Sequence, residues 1–284
     1  MQVYYGIVML SVIMFGVQFL LNDRYEKLSG NRAGATFALN FLSSVAGFLC
    51  LLAINGFRLE WTPFTAFCAL ASALNSLLYT ACSLKALSRI TLSLYSLFSM
   101  LGGMLLPFLL GLIFYGEPLT AGKVICVILI AVALVLSVSG KIRSTDMIYY
   151  LGIFVLNGMS GVIAKLFESG SYPKASAAGF SILSMAIKAL ISGVILLMIQ
   201  KNYPKPKGKS VIIALLGGLF NPVANFLLLI ALAVLPASTQ YPMVTGGVMI
   251  VSTVFAAVIG QKPCRRELLA VGLSFLGLLA LVLF

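Results

Sequence analysis

The 284-residue sequence contains no histidine, one tryptophan and only seven acidic residues: Asp23, Glu26, Glu60, Glu117, Asp146, Glu168 and Glu267. Charged residues make up 9% of the chain, against roughly 25% in a soluble domain, too few to cover a water-facing globule. The acids fall in loops or at the ends of apolar segments. The segments themselves therefore lack the clustered acids, histidines or metal ligands that intramembrane enzyme chemistry requires. No catalytic residue, metal or cofactor is expected. The same lack removes the usual groups of a proton relay and argues against capture of organic cations on an embedded carboxylate. The five cysteines (Cys50, Cys68, Cys82, Cys126 and Cys264) are unevenly spaced and form no CxxC pair, which points to neither a disulfide framework nor a zinc site.

Hydrophobic residues make up 61% of the chain, mean hydropathy is +1.10, and no long polar stretch remains for a soluble domain. Lipid is the expected main solvent. The N-terminal apolar segment lacks a basic leader and runs into Asn22-Asp23-Arg24-Tyr25-Glu26-Lys27, so a retained span is expected rather than a cleaved signal. The net charge of +12 is spread over short loops, a pattern of membrane orientation and lipid headgroup contact rather than nucleic-acid binding.

A spanning helix needs about 20 apolar residues. That length predicts ten segments: Val3–Leu21, Gly34–Ile54, Pro63–Leu84, Ile90–Tyr115 and Leu119–Val138, then Met147–Leu166, Ser176–Gln200, Ser210–Leu235, Ser238–Ile259 and Glu267–Phe284. The expected fold is all-α, because a backbone in lipid must satisfy its own hydrogen bonds. The chain also repeats itself. Leu101-Gly102-Gly103-Met104, an apolar run and Tyr115-Gly116-Glu117-Pro118 are matched by Thr245-Gly246-Gly247-Val248, a run of the same length and Ile259-Gly260-Gln261-Lys262. Two five-helix repeats, 1–140 and 141–284, would enter the membrane in opposite senses, the inverted architecture of many secondary transporters. Fourteen lysines and arginines fall in the odd-numbered loops, and four (Arg58, Lys123, Lys165 and Lys174) in the even-numbered ones. This places the odd loops in the cytoplasm and both termini outside a multi-pass cell membrane protein.

Polar residues within apolar segments mark either helix packing or a substrate path. Lys188 stands near the middle of segment seven, about 18 Å of helix from either end, and no lysine stem reaches so far. With Ser181, Ser184 and Ser192 it forms one polar stripe. Its ammonium either locks helices together or meets a carboxylate or phosphate in a central cavity. Asn75, Tyr79, Tyr95, Asn157, Asn221, Asn225, Gln240 and Tyr241 are the candidate hydrogen-bonding residues, from stripes in both halves. Asn75 and Tyr79 correspond in position to Asn221 and Asn225, while Lys188 falls opposite Ser43.

The stretch Tyr79 to Leu87, running into a segment closed by Gly116-Glu117-Pro118-Leu119-Thr120, resembles the drug/metabolite transporter superfamily in its ten-helix EamA-like branch. The resemblance spans the chain and is clearest from Tyr79 to Val138. It implies export or exchange of small metabolites by alternating access, through a cavity lined by helices one, three, four, six, eight and nine. Gln261 replaces the family's acidic residue, and Gly102-Gly103 replaces a mid-helix proline, with Pro107 displaced. Relatives keep both termini in the cytoplasm, opposite to the loop charges here. The resulting expectation is a monomeric carrier of a small polar molecule, an amino acid or related carboxylate. Efflux of drug-like lipophiles and lipid translocation are the alternatives, and membrane lipid is the only other partner expected.

Overall fold

The computed structural model describes residues 2–29, 33–87, 92–137, 147–199, 208–258 and 265–283, less the side chains of 19, 22, 23, 26, 27, 33, 83–87, 92–97, 137, 256, 267 and 282. Within these stretches the chain forms ten helices: α1 (Gln2–Ser29), α2 (Ala33–Ile54), α3 (Pro63–Leu87), α4 (Leu92–Tyr115), α5 (Ala121–Ser137), α6 (Met147–Ser169), α7 (Ala177–Ile199), α8 (Gly208–Leu232), α9 (Ala237–Val258) and α10 (Arg265–Leu283). Six of them, α2, α3, α4, α6, α7 and α8, are long and apolar enough to cross a membrane, and α1, α5 and α10 carry shorter apolar stretches. The sequence reading expected ten spans. The helix α9 falls short because it opens on the polar run Ala237-Ser238-Thr239-Gln240-Tyr241.

Local chemistry sets the helix ends. Thr62 caps α3, its Oγ1 accepting from Thr65 N at 3.2 Å, with Pro63 in the first helical position where no N–H is needed. Ser176 caps α7 in the same way through Gly179 N at 3.2 Å. The helix α4 stops at Gly116, which adopts φ 60°, and Glu117 N turns back to donate to Gly111 O at 3.0 Å. This closure needs a residue that tolerates a positive φ at Gly116. The turn fixes where the Glu117 side chain begins.

The helices pair mostly across the midpoint of the chain. The helix α1 packs on α8 and α9, α2 on α7 and α8, α3 on α6 and α7, α4 on α6 and α9, and α5 on α10. Small residues permit the closest approaches. A Cβ at Gly102 would collide with the backbone of Phe154, and one at Gly103 would stand 2.7 Å from Asn157 Nδ2. In the second half, a Cβ at Gly247 would stand 3.0 Å from Val12 Cγ1. Gly161 faces Pro107 as Gly16 faces Val251, each at 2.5 Å from a would-be Cβ.

Candidate functional site

An apolar plug defines one end of the interior. Cys68 and Ala69 of α3, Ile163 and Phe167 of α6, Phe180 of α7, Leu229 and Leu232 of α8, and Ala237 of α9 form one buried cluster. The rings of Phe167 and Phe180 stack with centroids 4.4 Å apart. The connections that leave this end are tied together. Ser176 N donates to Glu60 Oε2 at 3.1 Å and Ala175 N to Thr65 Oγ1 at 2.8 Å. The α2–α3, α4–α5, α6–α7 and α8–α9 connections therefore share what is called below the even-loop end.

Two turns deeper from that plug, four helices present polar residues at one level. Ser160 lies seven residues before Phe167, Asn225 seven before Leu232, Asn75 seven after Cys68, and Lys188 eight after Phe180. At 1.5 Å per residue, these offsets correspond to about 10–12 Å along each helix. Exposure shows that the polar level borders open space. Ser160 is exposed although Ile153 and Phe167, two turns to either side on the same face of α6, are fully buried. Asn225 is exposed between buried Gly218 and Leu232 on the same face of α8. Lys188 is half-exposed on the stripe of α7 whose other members, Ser181, Ser184 and Ser192, are buried. These faces point into the bundle, because the lipid-facing stripes lie elsewhere, through Ile212, Leu216 and Leu219 on α8 and Leu190, Val194 and Leu197 on α7.

Hydrogen bonds organise the walls of this space. Asn75 Nδ2 donates to Leu156 O at 2.9 Å and to Ser160 Oγ at 3.0 Å, tying α3 to α6. The Tyr79 hydroxyl lies 2.9 Å from Ser99 Oγ, and Asn157 Nδ2 donates to Ser99 O at 2.7 Å. On the far side, Asn221 Nδ2 donates to Gln18 Oε1 at 2.7 Å, and Asn225 Nδ2 donates to Asn221 Oδ1 at 3.1 Å. Lys188 has no hydrogen-bond or ion-pair partner among the described residues. An ammonium at that depth costs about 2.5–3.5 kcal/mol on insertion scales, and nothing described around it offsets this.

A second polar cluster lies over the plug. Glu117 Oε1 accepts from Lys165 Nζ at 2.8 Å and from Ala237 N at 2.9 Å, and its Oε2 accepts from Ser238 N at 2.8 Å. Lys165 Nζ also sits 5.1 Å from the centre of the Tyr115 ring. Lys123 Nζ donates to Pro118 O at 2.7 Å and Ser238 Oγ at 2.8 Å. Burial pushes the Glu117 carboxyl up, but the bonds from Lys165, Ser238 and Ala237 outweigh it and hold its pKa below the ordinary 4.5. The sequence reading counted Lys123 and Lys165 as loop charges. The structure corrects this: both belong to helices, α5 and α6, and both are buried.

Among the sequence-predicted residues, Asn75, Lys188 and Asn225 share the polar level, and Tyr79, Asn157 and Asn221 line it through the bonds above. Gln240 and Tyr241 act as ties. Gln240 is buried, with Nε2 donating to Leu228 O at 2.9 Å, and the Tyr241 hydroxyl donates to Gly161 O at 3.1 Å. The side chain of Tyr95 lies outside the described residues, as does Gly260-Gln261-Lys262. Ser160, Gln18 and the Glu117–Lys165 pair were missed. Ser160 had a signal, since it falls one turn from Asn157 on the same helix. Gln18 had a weaker one, as a lone amide in an apolar run.

A separate groove of about 330 Å³ between α1, α9 and α10 is lined entirely by apolar residues, among them Met9, Met243, Ile250 and Phe275. No family model matches the chain, and no curated protein matches it. The fold is similar to a solved structure described only as a crystal structure of a protein, with a TM-score of 0.79 over 98% of this chain and 96% of that one. At 15% identity the likeness shows the fold and nothing of its chemistry.

Proposed function

We propose that this chain is a secondary transporter of the drug/metabolite type, exporting or exchanging a small polar metabolite by alternating access. An amino acid or related carboxylate is the favoured cargo. One observation carries the reading: accessible Ser160, Asn225 and the unpartnered Lys188 stand at one depth with buried Asn75, under an apolar plug. An unpaired cation at that depth favours a carboxylate, while the amides and hydroxyls supply directional contacts. The helix pairings support the inverted repeat. If each helix is exchanged for the one five places on, α1 with α8 becomes α6 with α3, and α4 with α6 becomes α9 with α1, both of which occur. The Gly103–Asn157 and Gly247–Val12 contacts correspond under the same exchange. On this reading the ten helices all cross the membrane, and the two halves rock about the polar level.

Purified protein in liposomes should take up labelled amino acids or carboxylates saturably. The apolar groove of α1, α9 and α10 favours the second reading, efflux of lipophilic compounds. Dye efflux without any flux of amino acids or carboxylates would select it over the first.

A further inference from the structure

We infer that Glu117 and Lys165 form a charge lock holding the even-loop end shut, and that the matched positions of the other repeat, Leu20 and Gln261, cannot form the same pair, so the resting protein opens toward the odd loops. This goes beyond the transport reading, because it concerns which end closes and does not depend on the cargo.

Lys165 lies five residues beyond Ser160 on α6, about 7.5 Å along the helix, so the pair sits directly between the polar level and the even-loop end. Ala237 contributes its side chain to the apolar plug and its N–H to Glu117. Plug and lock are therefore two layers of one closure. A solute leaving by this end must part α6 from α9 and from the α4–α5 connection, and Glu117 bridges all three. The Tyr241–Gly161 bond joins α9 to α6 beside it.

Glu117 receives one ammonium and two backbone N–H groups at the start of α9, where the helix dipole favours a negative charge. Charge-assisted bonds are the strong kind, and breaking a buried one leaves a charge unpaired. The other ionisable groups at the cluster are Lys123 from α5, Tyr115 from α4 and Tyr241 from α9. No described residue supplies a second carboxylate there to replace Glu117.

Gly161 packs on Pro107 as Gly16 packs on Val251, so Lys165, four residues after Gly161, has Leu20 as its counterpart. Glu117 has Gln261 as its counterpart in the matched motif. In the sequence of the other repeat, both members of the pair are thus replaced by uncharged residues.

The test is sided thiol labelling with an Asn225→Cys reporter, read by peptide mass spectrometry in vesicles of both orientations under an impermeant maleimide. With Glu117 intact, residue 225 should label mainly from the odd-loop side. Glu117→Gln and, independently, Lys165→Met should each raise labelling from the even-loop side about tenfold, the shift expected on losing one charge-assisted bond. Exchanging the two residues, Glu117→Lys with Lys165→Glu, should fail to restore closure, because a lysine cannot accept from Ala237 and Ser238. Even-side labelling that stays low in both single variants, with only the melting temperature falling, would overturn the lock. So would equal labelling from both sides before any substitution. If no solute is transported but labelling responds as described, the lock stands and the transport reading falls.

Discussion

At the scale of single residues, two lysines of the helix bundle behave oppositely. Lys165 is fully paired, with a carboxylate at 2.8 Å and an aromatic face beneath it, whereas Lys188 meets no partner. Removing each should therefore separate stability from function. Lys188→Met is expected to raise the melting temperature, since it deletes an uncompensated charge costing about 2.5–3.5 kcal/mol, and to abolish carboxylate flux. Thermal melts beside flux assays check both halves, and a drop in stability would return Lys188 to a packing role. Glu117 makes a pH prediction. Its pKa is held below 4.5 in the folded protein, so its contribution is complete above the ordinary carboxylate value. That contribution is lost as pH falls through the depressed one. Melts between pH 7 and pH 3 should show an acid loss in the native protein that shrinks in Glu117→Gln.

At the scale of elements, the close approach of α4 to α6 rests on Gly102, where any Cβ would meet the backbone of Phe154 rather than a side chain able to move. Gly102→Ala should destabilise the fold by about 1–3 kcal/mol, as overpacking does, whereas Gly217→Ala, which meets nothing within 4 Å, should be tolerated or slightly stabilising. Denaturation of the two variants side by side tests this. Helix positions were largely legible in the sequence, because an apolar run of bilayer length leaves the backbone little choice but helix. The polar stripe of α7 was legible for the same reason, since period and burial coincide there. The start of α9 was not: Ser238 and Gln240 look like cavity residues by composition, but they are buried in contacts to Lys123 and to the Leu228 carbonyl. Ser160 and Glu117 were hidden for a different reason. Ser160 gains its meaning from the level of Lys188 and Asn225 on other helices, and Glu117 from where the turn at Gly116 aims it. Neither is a property of local sequence.

At the scale of the whole molecule, burial of Lys123 and Lys165 sharpens the charge asymmetry read from the loops. Only Arg58 and Lys174 remain as basic groups outside the ionic cluster at the even-loop end. By the positive-inside rule, that asymmetry would place the odd loops in the cytoplasm. A lock on the even-loop side would then leave the resting protein open to cytoplasmic solutes, as an exporter requires. Tag accessibility at both termini should report them outside. The central claim is that solutes cross through the polar level formed by Asn75, Ser160, Lys188 and Asn225. Equilibrium exchange in proteoliposomes tests it most directly, with a panel of labelled carboxylates, amino acids and lipophilic cations, comparing the native protein with Lys188→Gln. The account predicts saturable exchange of at least one carboxylate-bearing solute, lost in Lys188→Gln while the protein stays folded. Exchange that is unaltered by Lys188→Gln, or confined to lipophilic cations, would contradict it.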